Sequence, residues 1–219
     1  MCGIIAAASN RNVGKLLVQG LHKMEYRGYD SAGIALHQTD QIAHLRTLGK
    51  VKLLEEKMIA EKPKSKLGIA HTRWATHGEP SEENAHPHMS NERVYIVHNG
   101  IIENYLDLKD FLKKEGYSFS SQTDSELIAH LLEYFLNKGN NMLDSMYLTK
   151  DKLDGAYAIA AIDKEDDQNI IIARSKSPLL IGIGMDEFLA ASDPLAIGQL
   201  TNEFIFLEDG DVAELSSET

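Results

Sequence analysis

The chain has 219 residues, with 33 Asp and Glu against 22 Lys and Arg and a formal net charge of −11. That balance argues against a phosphate backbone or an anionic membrane surface as partner, because both need clustered cations. A hydrophobic share of 43% suits a globular domain with one large core, and no apolar run approaches the roughly 20 residues that span a bilayer.

Gly3 to Ala8 is apolar, short and preceded by no basic residue. It reads as a buried strand, not as a signal peptide or membrane anchor. A helix is predicted over 13–25, strands over 32–37 and 41–47, and a helix over 50–61. Lys62-Pro-Lys-Ser-Lys66 is a loop before a strand at 67–72. A strand at 94–98 leads through His98-Asn-Gly100 into a helix at 102–115, which Gly116 stops. The next helix, 124–137, opens on the capping box Thr123-x-x-Glu126, and another covers 141–151. Strands follow at 155–162, 169–174, 179–183 and 187–191. Asp193-Pro194 sets a cap and a first-turn proline for a short helix near 194–199, and strands at 203–207 and 211–215 complete the pattern. Ser216 to Thr219 adds no closing element, so the natural polypeptide is expected to continue.

Runs such as Ile170 to Ala173 and Val94 to Val97 show little alternation, as expected of strands covered on both faces. Eleven strands and six helices, with many strands adjacent in sequence, predict an α+β protein of two packed, mainly antiparallel sheets covered by helices.

The single cysteine, Cys2, excludes an intrachain disulfide and predicts a cytoplasmic protein. A lone cysteine is most simply a small buried hydrophobe. At position 2, however, removal of the initiator methionine would leave thiol and α-amine on one residue. With a reference pKa of about 7.7–8.0, such an amine can take the thiol proton and later protonate a leaving amine.

An amide-attacking thiol needs an oxyanion hole, and His98-Asn-Gly100 offers the Asn99 side-chain amide and the Gly100 backbone N–H. A plain strand-to-helix turn is the alternative. In His71-Thr-Arg-Trp-Ala-Thr-His-Gly78, Arg73 has the planar fork suited to a carboxylate; a surface stack on Trp74 is its other reading. Asp124, at a helix start, suits an ammonium group or a cap. Four histidines fall between 71 and 88, but no zinc spacing accompanies them. No metal and no cofactor is expected. Arg27 to Gly33 reads as turn chemistry leading into a strand.

Met1-Cys-Gly-Ile-Ile5, Tyr26-Arg-Gly-Tyr-Asp-Ser-Ala-Gly33, His71 to Gly78, Asn84-Ala-His-Pro-His88, His98-Asn-Gly-Ile-Ile-Glu-Asn104, Thr123-Asp124, Gly155-Ala-Tyr157 and Ala191-Ser-Asp193 resemble one family throughout. It is the class II glutamine amidotransferase domain, an N-terminal-nucleophile hydrolase. Within it the chain is most similar to the glutaminase domains of the glucosamine-6-phosphate synthase family.

The resemblance implies a four-layer αββα sandwich and glutamine hydrolysis. Cys2 would be the nucleophile and its amine the base, with Asn99 and Gly100 as the oxyanion hole. Arg73 would hold the L-glutamine carboxylate and Asp124 its amine, with Thr76 and His77 lining the site. Trp74 would belong to a closing loop that gates ammonia. Arg27 would position the N-terminal segment, and His86 would support the site. Two sugar-isomerase-like domains that bind fructose 6-phosphate would follow in a full-length, homo-oligomeric enzyme. An amidotransferase domain serving another acceptor, a non-catalytic binding module and a zinc hydrolase are the competing readings.

Overall fold

The computed structural model describes residues 2–74 and 79–216. The first half of this region holds β1 (Gly3–Ser9), α1 (Gly14–Met24), β2 (Ser31–His37), β3 (Ile42–Leu48), α2 (Val51–Glu61) and β4 (Leu67–Arg73). Next come β5 (His88–Ser90), β6 (Val94–Ile102), α3 (Tyr105–Lys114), α4 (Glu126–Leu136) and α5 (Met142–Lys150). The last part is β7 (Gly155–Asp163), β8 (Asn169–Ser175), β9 (Leu180–Gly184), β10 (Glu187–Ala191), β11 (Glu203–Phe206) and β12 (Val212–Ser216). One-turn 3₁₀ segments lie at Glu25–Arg27 and Pro194–Ala196.

A seven-stranded sheet runs β11-β9-β10-β1-β4-β2-β3 and a five-stranded sheet runs β12-β8-β7-β6-β5. Their ladders are antiparallel. α1 and α2 cover the first sheet, α4 and α5 the second, and the two sheets pack face to face. The molecule is therefore a four-layer αββα sandwich with three apolar cores.

The missing alternation in sequence follows from this layering. In β1, Ile4, Ala6 and Ala8 enter the core between the sheets, while Ile5 and Ala7 face the α1 side. β8 repeats the pattern, with Ile170 and Ile172 between the sheets and Ile171 and Ala173 toward the outer helices. Side chains alternate at period two, but both destinations are apolar. On α1 the buried residues Leu17, Leu21 and Met24 recur at helical spacing.

Two expectations need correction, and β5 was not anticipated, since its three residues carry too little pattern to predict. His98-Asn-Gly100 is not a strand-to-helix turn but the interior of β6, with Asn99 opposite Ala158 and Gly100 opposite Tyr157. Gly100 is required there because φ is +138° and an added Cβ would lie 1.9 Å from the Ala156 carbonyl oxygen. The capping box is also absent. α4 starts at Glu126, whose carboxylate instead accepts the backbone N–H groups of Ser120 at 2.8 Å and Ser121 at 2.7 Å. Thr123 Oγ1 meets His88 Nε2 at 3.0 Å. Asp193 does cap its turn, accepting the Leu195 N–H at 3.0 Å ahead of Pro194 at the first position.

Candidate active site

Period two carries the inter-sheet face of each strand to a polar end. In β1 the series Ala8, Ala6, Ile4 ends at Cys2. In β4, Ile69 is followed on the same face by His71 and Arg73, and in β6, Tyr95 and Val97 are followed by Asn99. The antiparallel register places Ile4 beside His71. One end of the apolar layer between the sheets thus becomes a polar cluster drawn from both sheets.

Cys2 is partly buried, and its sulfur accepts the backbone N–H of Trp74 at 3.3 Å. The thiol in turn lies 3.6 Å from the Trp74 carbonyl oxygen. Burial pushes the thiol pKa above its ordinary value, and the contact with the Trp74 backbone draws it partly back. The thiol is protonated at neutral pH, so it needs a base to become a nucleophile.

Cys2, Arg73, Trp74, His86, His98, Gly100, Thr123, Asp124 and Ser125 line one cleft. Arg73 is buried, 4% exposed, and its Nη1 stands 3.9 Å from Asp30 Oδ1. It is therefore not a surface partner of Trp74, which is 54% exposed. Asp124 accepts the Ile102 N–H at 2.7 Å rather than capping α4, and Ser125 Oγ reaches its other oxygen at 3.5 Å. Asn99 donates from Nδ2 to the Cys2 carbonyl at 3.2 Å, and its Oδ1 sits 2.9 Å from His71 Nε2.

Arg27 does not line the cleft. Its guanidinium pairs with Asp193 at 2.7 Å, and Asp193 also accepts the Tyr26 hydroxyl at 2.5 Å. The adjoining Ser192 hydroxyl accepts the Ile4 N–H at 3.0 Å, and the Ser192 N–H donates to the Ile4 carbonyl at 3.0 Å. Arg27 is thereby tied to β1 two residues beyond Cys2. Met1, Thr76 and His77 lie outside the described residues.

The histidines form a packed wall behind the cleft. His86 stacks on His71 with centroids 4.1 Å apart, meets His88 edge-on at 4.5 Å, and accepts the His98 N–H on Nδ1 at 3.3 Å. Burial lowers all four pKa values, to about 3 for His71 and His88. These rings are neutral, and the packing of His71, His86 and His88 against one another accounts for their closeness in sequence.

Sequence reading missed three contributors. Asp30 donates its N–H to the Arg73 carbonyl at 3.0 Å besides facing its guanidinium. Gly33 leaves room for the His86 carbonyl, which would stand 2.1 Å from an added Cβ. His71 meets Asn99 across the two sheets. The clue for the first two was the Tyr26–Gly33 motif itself, which is richer in Gly and Asp than a plain turn needs.

A roomier groove of about 460 Å³ lies between α1 and α2, lined by Val18, Met58, Ile59 and solvent-exposed lysines. Its polar lining, Asn12, Glu55 and the lysines, is exposed or half-buried, and it includes no cysteine, serine or threonine. The buried charged groups and the thiol converge instead on the smaller cleft at Cys2.

Comparison with known proteins identifies the family. The family described as "Glutamine amidotransferase domain" matches residues 71–199. Glutamine–fructose-6-phosphate aminotransferase (isomerizing) of Haemophilus ducreyi is 51% identical over 217 residues, covering 99% of this chain and 35% of its own length. The Shewanella oneidensis protein of the same name is 48% identical over 219 residues, covering 100% of this chain and 36% of its own. The chain thus spans about a third of these relatives. Among solved structures, one described as the allosteric regulatory enzyme of purine biosynthesis superimposes with a TM-score of 0.86 at 26% identity, over 99% of this chain and 47% of that one. The glutamine phosphoribosylpyrophosphate amidotransferase of B. subtilis gives 0.78 at 24% identity, over 99% of this chain and 49% of that one. The sandwich is of the N-terminal-nucleophile hydrolase type.

Proposed function

The chain belongs to the glutamine amidotransferase family, and from that premise we propose that it hydrolyses L-glutamine to glutamate and ammonia through a thioester on Cys2. Once Met1 is removed, the Cys2 α-amine takes the thiol proton and the sulfur attacks the side-chain amide carbon. The C–N bond breaks as the ammonium group returns a proton to the leaving nitrogen, and ammonia departs. Water then attacks the thioester carbonyl, releasing glutamate and restoring the thiol.

The remaining groups take roles that suit their chemistry and position. Arg73, buried beside the nucleophile, binds the α-carboxylate, and Asp124 binds the α-ammonium. Asn99 Nδ2 has two hydrogens and spends one on the Cys2 carbonyl, leaving the other for the tetrahedral oxyanion together with the Gly100 N–H. Thr76 and His77 line the substrate, and Trp74 belongs to the segment that closes over it. Arg27 steadies β1 through Asp193 and Ser192, and His86 backs the cleft.

Residues 1–219 form the glutaminase domain of a longer cytoplasmic, homo-oligomeric enzyme. The relatives' name and their extra length favour C-terminal isomerase domains that bind fructose 6-phosphate and aminate it with the released ammonia. The observation that carries the reading is the convergence of Cys2, Arg73 and Asp124 on one cleft. Ammonia release from glutamine by the Met-processed chain, beside Cys2→Ala, tests it. Turnover confined to the native sequence is expected, and equal turnover in Cys2→Ala overturns it.

A further inference from the structure

The inter-sheet contact between His71 and Asn99 has a consequence for the oxyanion donor. His71 is fully buried on β4, and Asn99 is 9% exposed on β6 of the opposite sheet. Asn99 has an acceptor on one branch of its amide and a donor on the other, and only one orientation presents N–H to the reacting atoms. The Cys2 carbonyl can only accept, so the branch 3.2 Å from it is Nδ2. The other branch is then Oδ1, and the ring nitrogen 2.9 Å away, His71 Nε2, must carry a hydrogen.

We propose that His71 is a positioning residue for glutamine hydrolysis: its Nε2–H holds Asn99 Oδ1, so that Asn99 Nδ2 stays aimed at the oxyanion that forms beside Cys2. The inference rests on the roles assigned above to Cys2 and Asn99. Two features keep the ring in place and the hydrogen on that nitrogen. The ring stacks on His86 at 4.1 Å. The opposite tautomer would set an Nε2 lone pair against Oδ1, or flip the amide and set Oδ1 against the Cys2 carbonyl. Either is repulsive, and in a buried site repulsion between acceptors is poorly screened. The strands carrying the pair belong to different sheets, so their backbone ladders cannot fix the amide. The side-chain bond does.

Such a residue touches neither substrate nor sulfur, so its loss must strike the chemical step and spare binding. Removing one oxyanion donor costs about 10²–10³ in kcat, and loosening it costs part of that. In Met-processed protein, His71→Leu is expected to lower kcat about 10- to 100-fold with the glutamine KM within about twofold of native. His71→Gln places an amide N–H near the Nε2 position and should restore kcat to within about fivefold. His71→Asn, whose amide reaches only as far as Nδ1, should not. In an Asn99→Ala background, His71→Leu should add less than about twofold.

Native kcat in His71→Leu overturns the proposal. So do full additivity with Asn99→Ala and equal losses in the Gln and Asn variants. Should the Leu variant fail to fold, the Gln–Asn pair, both polar, decides alone. Cys2→Ala run alongside keeps the two readings apart. Turnover surviving in that variant defeats the nucleophile assignment and the role of His71 with it. A dead Cys2→Ala beside a native-like His71→Leu defeats only His71.

Discussion

The backbone N–H of Trp74 points at the sulfur of Cys2 from 3.3 Å, while the Trp74 ring occupies the space that a side chain on Gly28 would need. A Cβ at Gly28 would lie 2.3 Å from the ring, at a φ of +140° that L residues rarely adopt. Gly28→Ala must therefore displace Trp74, and the Trp74 backbone draws away from the nucleophile. Backbone strain alone costs about 1–3 kcal/mol, and a misplaced reacting group costs up to about 100-fold in rate. The expected result is a lowered Tm with glutamine turnover reduced at least tenfold. Native turnover in Gly28→Ala would show that the Trp74 contact has no bearing on Cys2.

Arg73 and Asp124 provide the second prediction. If they hold the two charged ends of glutamine, substitutions that keep size but change chemistry should weaken binding first. Arg73→Lys loses the two-pronged geometry and Asp124→Asn loses the charge. Each removes a charge-assisted hydrogen bond of about 1.5–3 kcal/mol, so the glutamine KM should rise about 10- to 100-fold, with a smaller change in kcat. Steady-state kinetics in which kcat falls and KM stays fixed would contradict these roles.

Stability should depend on pH through the buried rings. His71 and His88 titrate at about 3 and His44 at about 4, chiefly because burial disfavours the cation. Unfolded, each returns to about 6.5. Below that pH the unfolded chain binds protons that the folded chain refuses, so stability falls as pH drops from 6.5 toward 3. Each such ring contributes about 1.4 kcal/mol per pH unit at full slope. Tm measured from pH 7.5 to 4.5 should stay level above 6.5 and then decline steeply. A flat curve across that range would mean the rings gain protons without unfolding.

Most of the architecture was legible in the sequence because both faces of the central strands are apolar and the helices carry clear stops. Gly116 ends α3 with φ at +95°, and Asp193 with Pro194 opens its turn. Local signals failed where tertiary contacts claimed the same residues. Thr123 and Glu126 have capping-box spacing, yet His88 takes the threonine and Ser120 and Ser121 take the glutamate. Asn99-Gly100 has turn composition, yet the glycine is there to let β6 approach β7. Of the site, Cys2, Arg73, Asn99, Gly100 and Asp124 were nameable from residue chemistry and family motifs. Asp30 and His71 were not. Their importance lies in which side chains they meet, Arg73 and Asn99, and no spacing along the chain encodes a contact between separate strands.

The central claim is that one residue supplies both sulfur and proton carrier, and the most direct test alters only its nitrogen. Two preparations should be compared by intact mass and ammonia release from glutamine: one beginning at Cys2, the other retaining a single residue ahead of it. With the amine converted to an amide, no base remains on that residue. Turnover should therefore fall by at least about 10²-fold, the lower bound for removing a general base. Equal turnover in both preparations would contradict the account.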